Sequence, residues 1–257
     1  MQSAPPPLIS PTKRLRDRAL PAACAQPTLA EIFPHTAVDA GAVGFALAHL
    51  IPGTGVNTRI GTGIGTGPRM GTRTGSNMQP KTGPKMGPVL WLQDRQSRQE
   101  TGRPCLAGLG FGGQIDLLYL ELNRPADVLW AMEEGLRCPS LGGVVAEVWG
   151  NPAVLDFTAT KRLALRSEAQ AVPAWLIRRA ATADLSAARE RWRVASLPSA
   201  PVPHDMRAPG APLWRAELFR ARWRTPGQWV ARYDKGVLVL EHGMERTDDA
   251  VPVGMRA

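Results

Sequence analysis

The chain has 257 residues, 44% of them hydrophobic, enough for one large α/β domain or two small ones, which excludes a wholly disordered protein. Its 26 glycines and 24 prolines are too many for a compact fold alone, so a large unstructured share is expected. The net charge of +9 is uneven: residues 1–30 net +3, residues 52–87 net +5 and all others +1, so the total alone does not mark a nucleic-acid binder.

In chain order, residues 1–28 are proline-rich and read as a disordered arm, with no basic start and apolar stretch of a signal peptide. A short strand is predicted at 31–33 and a buried helix at 40–51. Pro52 and Gly53 cut the apolar run too short for the roughly 20 residues that span a bilayer, so no membrane association is expected. Residues 52–87 repeat Gly-Thr without an aromatic, a leucine or an acid; they cannot bury enough apolar area to offset ordering and read as a flexible insertion. Next come a strand at 89–93, a polar connection, a strand at 116–121, a one-face helix at 126–137, an apolar strand at 142–148, a helix at 154–169 and a strand at 174–177. This alternation predicts a three-layer α/β core, its sheet mostly parallel with helices on both faces.

After residue 184 the pattern changes. A short helix is predicted at 185–190, followed by strands at 191–197, 214–222, 229–233 and 237–240 that interleave polar and apolar residues. Gly227 and Lys235-Gly236 mark hairpin turns, so an antiparallel β-meander should extend the sheet. The expected organisation is an arm at 1–28, one domain at 29–241 interrupted by 52–87, and a disordered tail at 242–257. Residues 88–156 hold five bases and nine acids, whereas residues 157–232 hold fourteen bases and five acids: an acidic half joined to a basic half. Cys24, Cys105 and Cys138 show no C-x-x-C spacing, and His35, His49, His204 and His242 have no local ligand partners, so neither a disulfide framework nor a metal site is expected. A reducing cytoplasm fits this cysteine usage best.

Several stretches carry a family resemblance: GFALA at 44–48, GPVLWLQD at 87–94, ETGRP at 100–104, ADVLWAMEE at 126–134, VVAEVWG at 144–150, LDFTATKRL at 155–163, RWRV at 191–194 and WRAEL at 214–218. Together with the order of elements, they resemble the RecA-like core and, more closely, the ImuA (inducible mutagenesis protein A) family, over about residues 29–235. The resemblance implies a RecA-like fold and a non-catalytic accessory role in DNA-damage-induced (SOS) mutagenesis. The implied partners are an ImuB-like Y-family polymerase homologue and an error-prone replicative-type polymerase of translesion synthesis, with RecA as a further candidate.

A RecA-type nucleotide site needs a Gly-rich turn after the first strand, whose N–H groups wrap phosphate while a lysine and a hydroxyl handle charge and magnesium. Here residues 34–44 read PHTAVDAGAVG, without a lysine, and Asp39 puts a negative charge where phosphate should sit. The degenerate site is marked by His35, Asp39, Gly41 and, at the acidic position of the 142–148 strand, Glu147. ATP hydrolysis is therefore not expected, and neither are catalytic residues, a metal or another cofactor. Asp94 stands where a water-positioning carboxylate is sought, with no triphosphate to act on. The loops that grip DNA in RecA-like recombinases are reduced here to a few residues after 148 and after 177. Weak, sequence-indifferent DNA contact falls to Lys161, Arg162, Arg166, Arg178 and Arg179, with a solvated face paired to acids as the alternative.

Trp91, Trp130 and Trp149 read as core or core-edge residues. Trp192, Trp214, Trp223 and Trp229 alternate with arginines as contact surfaces do, and partner contact is assigned to Arg220, Arg222, Trp223, Arg224 and Trp229. The meander is expected to recruit the partner. Two rival readings stay open: a RecA-like ATPase or single-strand DNA-binding recombination modulator, and a SulA-type cell-division inhibitor.

Overall fold

The computed structural model describes residues 28–50, 87–105, 116–202, 204–205, 207–234 and 237–242. The expected arm, insertion and tail, their end residues apart, lie outside these. The elements are β1 (Leu29–Pro34), α1 (Gly41–Leu50), β2 (Val89–Asp94), α2 (Arg95–Thr101), β3 (Leu117–Leu122), α3 (Pro125–Gly135), β4 (Gly143–Trp149), α4 (Phe157–Gln170) and β5 (Ala174–Arg179). Four strands follow: β6 (Glu190–Leu197), β7 (Leu213–Ala221), β8 (Gly227–Asp234) and β9 (Val237–His242). They form one mixed sheet in the order β3-β2-β4-β5-β1-β6-β7-β8-β9. Pairings from β3 to β6 are parallel, and β7, β8 and β9 add antiparallel strands to that edge. This is the expected α/β class, a mostly parallel core continued by a C-terminal meander.

The sheet has a core on each face. Helix α1 is buried along nearly its whole length, against Ile32, Trp91, Val145, Trp175, Trp192 and Trp214. Helices α3 and α4 cover the opposite face, Met132 and Leu163 packing with Leu92, Val144, Ala146 and Leu176. Central strands β4 and β5 are buried on both sides, which explains why they read as continuous apolar runs and not as alternations.

The tryptophans correct the sequence reading. Trp192, Trp214 and Trp229, read as a contact surface, are buried in the core that includes α1, while Trp130, read as core or core-edge, is 67% exposed on α3. The reason lies in α1: its small residues Gly41 and Gly44 bring the helix so close to the meander that a Cβ on Gly44 would stand 2.7 Å from Trp214 Cζ2. Phe45 then meets Trp192 edge-on at 5.2 Å between centroids.

Two further local expectations differ. Residues 95–101 form a helix, begun by Asp94, whose carboxylate accepts the Ser97 N–H at 2.7 Å, and closed by Gly102 at φ 75°. Residues 185–189 do not form the predicted helix; the strand already begins at Glu190. Their backbone donors have tertiary partners: Ala187 N–H binds Thr160 Oγ1 at 3.0 Å and Arg189 N–H binds the Leu29 carbonyl at 2.9 Å.

Candidate functional site

The parallel strands carry their C-terminal ends, and with them the β1–α1 turn, to one edge of the domain. Asp39 ends that turn, and its Oδ1 accepts the N–H of Gly41, the first residue of α1, at 2.7 Å. Its Oδ2 accepts the Ser196 N–H from β6 at 2.9 Å, and the Ser196 hydroxyl donates to Oδ1 at 2.5 Å. Burial works against the Asp39 charge, but the Ser196 and Gly41 donors, with Arg179 nearby, hold its pKa below the usual carboxylate range. The helix N-terminus is thus already served by an anion of the chain itself. A Cβ on Gly41 would meet Ser196 Oγ at 2.7 Å, so only glycine allows this closure. His35 is exposed, and its N–H is held by the Val194 carbonyl at 2.8 Å.

Arg179, at the end of β5, ties the turn to the sheet. Its Nη1 donates to the carbonyls of Ala37 at 2.9 Å and Asp39 at 3.3 Å, while its Nε is ion-paired with Glu147 of β4. Both side chains are buried. Glu147 also accepts Trp91 Nε1 and Gln93 Nε2, each at 2.9 Å, and Tyr119 donates to Gln93 at 2.9 Å. One polar network therefore runs from β3 through β2, β4 and β5 to the β1–α1 turn. Burial raises the Glu147 pKa despite the opposing pull of Arg179, so the carboxylate depends on this partner. A cavity of about 270 Å³ adjoins the pair, with Val38, Val43 and Arg103 in its lining. Asp94 caps α2 and accepts the Trp149 N–H at 2.8 Å, so both of its oxygens have partners. His35, Asp39, Gly41 and Glu147, the four residues assigned from the sequence to a degenerate nucleotide site, thus share this edge. No cluster of three or more His, Cys, Asp or Glu that could hold a metal occurs among the described residues.

The candidate DNA-contact residues separate. Arg178 and Arg179, at the strand end assigned to DNA contact, are both buried: Arg178 lies 3.7 Å from Glu31 and donates to Asn151 at 2.8 Å. The cause is the central place of β5 between β4 and β1, with β4 paired to it as far as Arg179, which the sequence, showing only two adjacent arginines, does not reveal. Arg162 and Arg166 reach Glu133 on α3 at 3.0 and 3.7 Å, as the alternative of pairing to acids anticipated. Lys161 stays exposed and makes no ion pair among the described residues.

The partner-contact set also divides. Trp229 is in the core, and Arg224 is ion-paired with the buried Glu190 at 2.6 Å. Arg220, Arg222 and Trp223 are exposed, with Arg222 lying 5.6 Å from the Trp223 ring centre. Two features escaped sequence reasoning: the Ser196 grip on Asp39, which nothing local signals, and the exposed Phe157 and Leu165 on α4, whose spacing to Lys161 was readable.

No protein-family model matches the chain. The chain is a distant relative of protein ImuA from Caulobacter vibrioides, 31% identical over 152 residues, in both the NA1000 / CB15N and the ATCC 19089 / CIP 103742 / CB 15 strains. The match covers 55% of this chain and 59% of each relative, so the chain spans little more than half the length of the curated relatives it matches.

Proposed function

We propose that this distant relative of protein ImuA is a non-catalytic accessory factor of DNA-damage-induced mutagenesis, acting by protein contacts within a translesion polymerase complex. The observation that carries the non-catalytic half is Asp39: its carboxylate holds the α1 N-terminus from inside, where a RecA-like motor would seat phosphate. Glu147 supports the same reading, because Arg179 engages the acid that would otherwise help hold magnesium. With the nucleotide edge closed, the chain offers a rigid sheet carrying exposed apolar and basic side chains, which suits docking better than chemistry. The partners under this reading are an ImuB-like Y-family homologue and an error-prone replicative-type polymerase.

Co-expression with the ImuB-like protein tests the docking half. A stable complex that co-elutes in size-exclusion chromatography is expected, together with lower damage-induced mutation frequency when the chain is deleted. A deletion strain with undiminished induced mutation contradicts the proposal, and filamentation on overproduction would favour the division-inhibitor rival.

A further inference from the structure

Helix α4 packs on β1 and β5 and stops short of the meander, leaving a groove of about 480 Å³ between its outer side, residues 186–189 and the end of β7. Phe157, Lys161 and Leu165, four residues apart, line it as one stripe of the helix. The residues that fix α4 to the sheet are Ala159, Thr160, Leu163, Ala164 and Ser167, so this stripe is not needed for packing. Phe157 is nonetheless 42% and Leu165 50% exposed; Leu185, just before residues 186–189, and Trp223, just after Arg222, are exposed as well. Single exposed apolar side chains are ordinary, but Phe157 and Leu165 stand on one helical stripe and line the same groove, an arrangement that marks interaction sites.

Charge narrows the occupant. Arg189, also in the lining, is ion-paired with Glu168, whereas Lys161, Arg220 and Arg222 make no ion pair among the described residues. No carboxylate lines the groove. Lys161 and Arg220, without an acid partner among the described residues, and Arg222, which shares Glu168 with Arg189 only at longer range, stand around an apolar floor and fit a ligand that is both acidic and apolar. Nucleic acid supplies the charge but stacks on aromatic faces, and Phe157 is the sole ring in a lining otherwise aliphatic or polar. An amphipathic helix with carboxylates beside its apolar stripe supplies both features.

We propose that this groove docks an acidic amphipathic segment of a protein partner, with apolar side chains against Phe157 and Leu165 and carboxylates against Lys161, Arg220 and Arg222. The proposal rests on the docking role argued above and adds its surface and the chemistry of its ligand.

The test replaces Leu165→p-benzoylphenylalanine in the full chain, irradiates DNA-damaged cells and identifies the attached peptide by mass spectrometry. The expected product is a segment rich in Asp and Glu with large apolar residues at helical spacing. A synthetic copy should bind the purified chain and lose about tenfold or more in affinity to the Lys161→Glu/Arg220→Glu/Arg222→Glu variant. Should that variant melt early, the wild-type affinity must still fall steeply with added salt. Attachment to a basic or uncharged segment, to nucleic acid, to this chain itself or to nothing overturns the proposal, as does salt-insensitive or variant-insensitive binding. Capture of an acidic segment from the ImuB-like protein upholds both readings. Such a segment from a protein outside translesion synthesis upholds the groove and overturns the mutagenesis role. A complex with the ImuB-like protein that the triple variant leaves intact overturns the groove alone.

Discussion

A carboxylate at the start of a helix does for the backbone what a bound anion does: it accepts N–H groups that no preceding turn can satisfy. Asp39 fills that position, and Arg179 holds the turn's carbonyls while neutralising Glu147. The Glu147–Arg179 pair is buried, so removing one member strands a charge. Arg179→Met should destabilise by about 3–5 kcal/mol in chemical denaturation. Glu147→Leu combined with Arg179→Met should recover most of that loss, and a double variant as unstable as the single one would show that the turn contacts of Arg179 dominate. His49 gives a second residue-scale prediction. Burial among Phe45, Trp175 and Trp192 pushes its pKa from 6.5 to about 4, against the favourable bond to the Phe45 carbonyl. The unfolded chain therefore takes up this proton first. Stability should fall as pH drops from 6.5 towards 4, by up to about 3 kcal/mol from this group, with no further loss from it below that. His49→Leu should flatten that limb of the stability profile, and an unchanged slope would contradict the assignment.

At the scale of elements, α1 and the meander depend on each other's shape. Gly44 faces the Trp214 ring with no room for a methyl group, so Gly44→Ala should cost about 1–3 kcal/mol by overpacking despite alanine's better helix propensity. A neutral or stabilising result, read from the thermal midpoint, would mean that Trp214 moves freely. The alternation of strands and helices was legible because each element is long and strongly patterned. Helix α2 was missed, although Asp94 and Gly102 are its N- and C-terminal signals, because its own residues are polar throughout. Residues 185–189 carry helix-forming composition, yet Glu31, Thr160 and Leu29 engage Ser186 and the neighbouring backbone from other elements. Propensity lost there to tertiary hydrogen bonds. The Trp-Arg alternation in β6 and β7 reflects the two faces of a strand. It could not tell which face would be covered, since that depends on where α1 lands.

For the molecule as a whole, the sheet order brings the β1–α1 turn beside β5 and β6, which is why Arg179 and Ser196 can both reach it. The absence of a lysine and the presence of Asp39 were readable in residues 34–44. The closure was not, because Ser196 lies 157 positions from Asp39 and Arg179 lies 140. The same topology leaves the basic side of α4 and β7 open while burying Arg178 and Arg179 and pairing Arg224 with Glu190. The central claim is that the edge where a RecA-like motor would seat a nucleotide is filled by the protein's own groups. Isothermal titration of the purified full chain with Mg-ATP tests it most directly: no binding heat and no accompanying rise in thermal midpoint are predicted. A saturable one-to-one isotherm with a midpoint that climbs with nucleotide concentration would contradict it.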